Sequence, residues 1–388
     1  MSRATWRVTK PLRERISAGH PWVYDRALAA SKKIAVGDVV TLVDDKGPLA
    51  TALADPSSPI RARILDAPDA TCDGAWAAAR AEAAALRRAR DPLLVGCTGR
   101  RLIHGEADGC PGLVVDAYTD TAVIVFDGAA AASFWRARIE DVIAGLERGG
   151  ATIAHVWLRG ERKNQIGEAL RGEPAAEIVI TEDEARFGVD VRAGQKTGFF
   201  LDQRENRRTI RRHAGGQSVL NLFAYTGGFS LHAALGGATR VTSVDIAPPA
   251  IAAIEKNLAL SGLPADAHER VVADVFEFLT RAREQGRRWD VVIVDPPSFA
   301  PSERAKPAAL RAYQRLAKAA LAVVEPRGRF ALASCSSHVH ESDLLAQLEL
   351  LGAADIRLRL TAGAASDHPV LPAFEEGRYL KFLFFDLG

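Results

Sequence analysis

The alternation of short apolar runs with helical segments in the second half of the chain constrains the fold more than any other feature. Strand-like runs at 218–223, 240–244, 270–273, 289–294 and 329–333 are separated by helical segments at 229–235, 248–261, 275–284 and 307–324. Connections of that length do not make hairpins. They carry the chain back over one face of a sheet and build βαβ units, hence a doubly wound, mainly parallel α/β sheet. Ligands on such sheets sit beyond the carboxyl ends of the strands, so chemistry is sought just after each run.

The first run leads into NLFAYTGGFS (221–230). Its glycine pair, Gly227 and Gly228, lets backbone approach a ligand at a helix start. Asn221, Phe223, Tyr225 and Gly227 are therefore candidates for cofactor contact. The spacing is not GxGxxG, so the dinucleotide fingerprint is not matched. Asp245 follows the second run, where a carboxylate can accept from both ribose hydroxyls of a nucleoside cofactor. Asp274 follows the third. It can receive the exocyclic amine of an adenine, with Val275 or Phe276 packed on the ring, or it can simply cap the helix that starts there. The fourth run ends in DPPSF (295–299), whose prolines fix the direction of Asp295. The fifth ends in SCSSH (334–338). Cys335 lies at the strand exit, on the edge that carries the other sites, which makes it a candidate nucleophile rather than a packed hydrophobe.

The 388 residues divide by texture into 1–72, 73–191 and 192–388. The first stretch has strand-like runs at 39–43, 49–54 and 60–65 between turn signals and reads as a small β-rich module. The second mixes helices at 75–89 and 129–146 with runs at 113–116, 122–126, 155–158 and 178–180, an α+β module. Its polar stretch 101–109 reads on chemistry alone as a turn with two glycines. The net charge of +2 excludes a histone-like polycation, so nucleic-acid binding would need local basic faces. Arg204, Arg207, Arg208, Arg211 and Arg212 fall largely on one helix face, either a solvated surface or a phosphate-tracking patch. Arg3, Arg7, Lys10, Arg13, Arg15, His20 and Trp22 form a second basic and aromatic set. The four cysteines are scattered, which indicates neither a zinc site nor a disulfide framework. With no apolar core segment at the N-terminus and no run of the ~20 apolar residues that a membrane helix needs, a cytoplasmic location is expected.

Taken together, GQKTGFFLDQREN (194–206), LNLFAYTGG (220–228), VIVDPPSF (292–299) and ASCSSH (333–338) resemble the class I S-adenosylmethionine (SAM)-dependent methyltransferases. With HGEADGCPG (104–112), DHP (367–369) and EGRYLK (376–381), the whole chain resembles the bacterial large-subunit rRNA cytosine-5 methyltransferases with an N-terminal PUA-like domain. The resemblance implies a Rossmann-like methyltransferase domain over 192–388, an α+β middle domain, and a PUA-like RNA-binding module over 1–72. It implies SAM as cofactor, with Lys196, Phe200 and Asp202 beside its methionine end. It implies attack on cytosine C6 by Cys335, with Asp295 facing N3 and the exocyclic amine. The base that removes the C5 proton stays open among His338, His340, His368 and Lys381. The expected substrate is naked or partly assembled large-subunit rRNA, because the target base must be unpaired or flipped. A homodimer is also compatible with the sequence. Two rival readings stand: an exocyclic-amine or ring-nitrogen methyltransferase acting on a purine, which uses Asp-Pro-Pro-aromatic motifs, and a uracil-5 methyltransferase.

Overall fold

The computed structural model describes residues 3–160, 167–352 and 355–388, which form two compact units. The first comprises Met1–Ile180, Val189–Leu201 and Ser366–Glu375; the second comprises Thr181–Gly188, Asp202–Ala365 and Glu376–Gly388. No described helix is long and apolar enough to cross a membrane.

The first unit holds two five-stranded sheets. One contains the strands Thr5–Arg7, Trp22–Tyr24, Val39–Asp44, Gly47–Ala54 and Ile60–Asp66. Its core includes Trp6, Val23, Val40, Leu42 and Ala62, all buried. Much of the N-terminal basic and aromatic set makes contacts within this module. Arg13 binds Asp44, Arg7 pairs with Asp45, Arg3 donates to Thr51 and to the Ala70 carbonyl, and Arg15 contacts His20. Trp22 donates to Glu106 and packs on Phe374.

The other sheet runs from Gly99–His104 through Leu113–Tyr118, Thr121–Phe126 and His155–Leu158 to Glu168–Arg171. Helices Gly74–Ala89 and Ile139–Arg148 pack against each other so closely that a Cβ on Gly145 would lie 2.2 Å from the Ala78 carbonyl oxygen. The polar stretch 101–109 is more than a turn. Its Asp108 is buried, grips Arg88 with both oxygens and accepts from the His104 amide. Arg88 also donates to the Asp367 carbonyl, and the Arg101 amide donates to the Asp367 carboxylate. A buried ion pair would cost desolvation if left incomplete; here the extra backbone bonds fill the remaining positions.

The second unit is built on a seven-stranded sheet. We label its strands β1 (Ser218–Leu222), β2 (Arg240–Asp245), β3 (His268–Val272), β4 (Trp289–Val294), β5 (Val324–Ser334), β6 (Ile356–Ala362) and β7 (Lys381–Leu387). The order is β3-β2-β1-β4-β5-β7-β6. The first five are parallel, and β7 is antiparallel to both β5 and β6. The helices are α1 (Arg204–His213), α2 (Gly228–Leu235), α3 (Pro248–Leu260), α4 (Val275–Glu284), α5 (Lys306–Leu321) and α6 (Glu341–Glu349). The two C-terminal strands are additions to the sheet expected from the sequence. Their run Phe382–Phe385 lies in the core, so they bury an edge that β5 would otherwise expose.

Helix α1 overturns both readings of its arginines. Arg204 and Arg207 are buried, and Arg207 Nε donates to Glu182 Oε1 at 2.6 Å. Arg208 grips Asp183 with two nitrogens, and Arg211 pairs with Glu184. Burial alone would raise the Glu182 pKa, but the Arg207 charge and hydrogen bonds from His232 and Arg207 outweigh it and hold it well below the usual carboxylate range. Of the five, only Arg212 is exposed. The face is therefore neither solvated nor available to phosphate: an acidic turn neutralises it.

Candidate active site

Register aligns the strand exits. Leu222 of β1 pairs with Val244 of β2 and with Val294 of β4, Val294 pairs with Leu332 of β5, and Asp245 pairs with Val272 of β3. Phe223, Asp245, Asp274, Asp295 and Cys335 therefore emerge along one edge of one sheet.

After β1 the chain folds into a strained turn. Phe223 (φ 58°), Tyr225 (φ 46°) and Gly227 (φ 88°) all have left-handed backbone. Non-glycine residues rarely adopt this conformation unless their surroundings enforce it. Here the Tyr225 amide donates to Asp245 Oδ2 at 2.9 Å, and Asn257 Nδ2 donates to the Thr226 carbonyl at 2.9 Å. A Cβ on Gly227 would lie 3.0 Å from Leu231 and 3.1 Å from Ile254, so the turn fits closely over α2 and α3. Asp245 also accepts from the Ala247 amide through Oδ1. Each oxygen carries two lone pairs, so both retain capacity for a hydroxyl donor. Thr226 Oγ1 is buried with no protein partner among the described residues. A curved turn, a half-buried carboxylate with spare acceptors and an orphan hydroxyl fit a nucleoside cofactor.

The other expected cofactor residues are placed differently. Asn221 Nδ2 donates to Ser230 of α2, so this side chain pins the helix to the sheet. Asp274 caps α4, its Oδ1 accepting from the Phe276 and Glu277 amides. Its Oδ2 accepts from no described residue, so capping and adenine contact are compatible. Val275 is buried, and the Phe276 ring lies under Arg315. Asp202 is buried and accepts from the Tyr379 hydroxyl at 2.7 Å. Lys196 and Phe200 belong to the first unit, where the ammonium stands 4.5 Å from the ring centre.

Around Asp295 and Cys335 two loops are tied together. Ser336 Oγ bonds Ser298 Oγ at 3.0 Å and accepts from the Ala300 amide. Tyr313, buried on α5, donates to Ser334 Oγ. Burial raises the Tyr313 pKa against the lowering effect of its hydrogen bonds with Ser334 and Ser336. Phe299 packs on Tyr313 at 5.0 Å between ring centres. Two neighbours were not singled out from sequence. Gln203 Nε2 donates to Asp295 Oδ2 at 3.0 Å and is itself held by Asn206, fixing the carboxylate. Both lie within the motif 194–206, and that membership was the signal.

Among the candidate bases, Lys381 of β7 is the one placed beside Cys335. It pairs in register with Ser334 and donates to the carbonyls of Ser336 (2.6 Å) and Tyr379 (2.9 Å). Burial pushes its pKa down to about 8, against the pull of Cys335. His338 instead contacts Glu303, His340 precedes α6 as its cap, and His368 is buried against Asp367 in the first unit. The cysteines differ from one another as well. Cys72, Cys97 and Cys110 are buried, and burial raises the Cys72 thiol to about 11 and Cys110 further, whereas Cys335 is half-buried.

Comparison with known proteins agrees with this geometry. Residues 100–347 match the S-adenosylmethionine-dependent methyltransferase family, and residues 7–67 match a PUA-like domain. The chain is 39% identical to a ribosomal RNA large subunit methyltransferase of Deinococcus radiodurans, across 99% of this chain and 98% of that one. It is 35% identical to ribosomal RNA large subunit methyltransferase I of Photobacterium profundum, across 96% and 95%. A putative SAM-dependent methyltransferase from Streptococcus mutans has the same fold, with a TM-score of 0.86 at 23% identity over 99% of this chain and 100% of that one. The chain therefore belongs to the SAM-dependent ribosomal RNA large-subunit methyltransferase family, with a PUA-like domain at its N-terminus.

Proposed function

We propose that the protein methylates carbon-5 of a cytosine in large-subunit rRNA through a covalent adduct on Cys335. One observation carries this reading. Of four cysteines, the half-buried one stands at the exit of β5, beside β4, which leads into Asp295. SAM, when bound, supplies an electrophilic methyl group. Asp245 would take the ribose hydroxyls and Asp274 Oδ2 the adenine amine. Asp295, held by Gln203, would accept from the exocyclic amine and face N3 of the base.

Cytosine C5 is too weak a nucleophile to take a methyl unaided. The Cys335 thiolate forms a bond to C6, and the displaced π-electron pair makes C5 enamine-like. With SAM bound, C5 would form its bond to the methyl as the methyl–sulfonium bond breaks and leaves its electron pair on sulfur, and C5 would then lose its proton to a base. The resulting electron pair restores the C5–C6 double bond as the Cys335–C6 bond breaks and the thiolate leaves. Lys381, its pKa pushed down by burial to about 8 and so still cationic at neutral pH, is suited to hold the thiolate. Packing of Phe299 on Tyr313 favours this reading over amine methylation, where that aromatic ring would be wanted against the base. Digestion of unmodified large-subunit rRNA after incubation with protein and SAM, followed by mass spectrometry of the nucleosides, tests the reading. 5-Methylcytidine is the expected product.

A further inference from the structure

Helices α4 and α5 enclose a groove of about 1080 Å³. It begins at Phe276, two residues past Asp274 on the strand-exit edge, and runs to the far end of both helices. Arg283, Arg287, Arg288, Arg315 and Lys318 line it, against a single carboxylate, Glu284. Two of these cations are engaged: Arg287 pairs with Glu269, and Arg288 donates to the Val324 carbonyl. Arg283, Arg315 and Lys318 are exposed and form no ion pair among the described residues. Helix α5 itself carries Lys306, Arg311, Arg315 and Lys318 and no acidic residue. The last three recur at spacings of four and three, hence on one face.

Cations gathered with so little compensation repel one another, which a purely structural role does not require. A row of exposed guanidinium and ammonium groups is what a string of phosphates binds. We propose that this groove carries the phosphodiester backbone of the substrate rRNA, leading it toward the edge where Asp295 and Cys335 stand. This rests on the rRNA reading above. Phosphate binding through three cations implies a definite salt dependence, because each contact releases condensed counterions.

The test is equilibrium binding of a large-subunit rRNA transcript, at several salt concentrations, to the intact protein and to the triple variant Arg283→Ala, Arg315→Ala, Lys318→Ala. SAM affinity and melting temperature are measured in parallel. The expected result is affinity weakened on the order of a hundredfold near 0.1 M salt, and a slope of log K against log salt shallower by about 2 to 3. Melting temperature should be unchanged or higher, since repulsion is relieved, and SAM affinity should be unchanged in the double variant Arg283→Ala, Lys318→Ala, which leaves Arg315 over Phe276. The lysine variant Arg283→Lys, Arg315→Lys should retain most of the affinity, because a point charge suffices for phosphate. If the wild type binds rRNA and the triple variant matches it in affinity and slope, the groove proposal is overturned while the functional reading stands. If the variant alters self-association instead of rRNA affinity, the groove serves a second copy and the proposal is overturned. If the wild type neither binds nor methylates rRNA, both fall.

Discussion

Helix α1 carries five arginines, and helix α5 carries two arginines and two lysines. By sequence α1 is the more basic, yet the structure reverses the ranking of what each can offer. In α1, Arg207, Arg208 and Arg211 meet Glu182, Asp183 and Glu184 one for one, and Arg204 is buried. In α5, Lys306 pairs with Asp343, while Arg315 and Lys318 open onto a groove with one carboxylate. A cation's meaning is set by the acids that other elements bring to it. Helical spacing shows which residues share a face but not what packs against that face.

The sharpest way to break this contrast is to remove the partner of α1. Glu182→Gln leaves Arg207 buried beside a neutral amide and should cost about 3 to 5 kcal/mol. Chemical denaturation reads this directly. The triple variant of the α4–α5 groove should stay within about 0.5 kcal/mol per site, as surface changes do. Equal costs at the two places would end the distinction between structural and available charge.

The pH dependence sharpens it. Arg207 holds Glu182 below its unfolded-state pKa despite the opposing effect of burial. A depressed carboxylate contributes stability that is fully present above the unfolded value, about 4.3, and lost as pH falls through the folded one. The defect of Glu182→Gln should therefore be undiminished from pH 7 to pH 5 and narrow only in stronger acid. Denaturation curves for both proteins across that range check this. Narrowing near neutrality would mean that the pair is not held as described.

Asp274 poses the same question of structural against ligand-facing charge at a single residue. Asp274→Ala should lose about 1 kcal/mol of cap stability and also weaken SAM. Asp274→Asn keeps a capping oxygen but presents an amide to the adenine amine. Its melting temperature should stay near wild type while SAM affinity falls about tenfold, which calorimetry would read. Unchanged SAM affinity in both variants would make Asp274 a cap alone.

The smallest effect concerns Lys381. Lys381→Met removes a cation that burial has brought to about pH 8 beside Cys335. Alkylation of Cys335 by iodoacetamide at pH 7 should slow by about tenfold or less, the order of one pKa unit. The difference should vanish above pH 9, where Lys381 is already neutral. Parallel profiles at every pH would show that the ammonium does not act on the thiol.

Much of the second unit was legible because its signals are local. The runs at 289–294 and 329–333 and the helical segment at 275–284 show apolar periodicity with turn residues at their ends, although the strand built on the second run begins already at Val324, where the sequence reading still has helix. Asp245, Asp295 and Cys335 were legible as positions, since the strand exits of a parallel sheet are known before any side chain is placed. What escaped depends on distant pairing. Strand β7 completes the sheet only because β5 offers it an antiparallel edge, and Lys381 reaches Cys335 by that pairing alone. Gln203 stands far in sequence from the Asp295 it orients. Asp367 is joined to Arg88 and Arg101 by contacts that no local pattern encodes. The acidic run Glu182–Glu184 was visible, but nothing local linked it to α1.

The most direct test of the central claim is the identity of the methylated nucleoside, with Cys335→Ala in parallel. Unmodified large-subunit rRNA is incubated with SAM and each protein, digested and analysed by mass spectrometry. The covalent account predicts 5-methylcytidine with the wild type and none with the variant, whose melting temperature and SAM affinity stay near wild type. An N-methylated purine, formed equally well by the variant, would contradict it and make Cys335 a residue of packing.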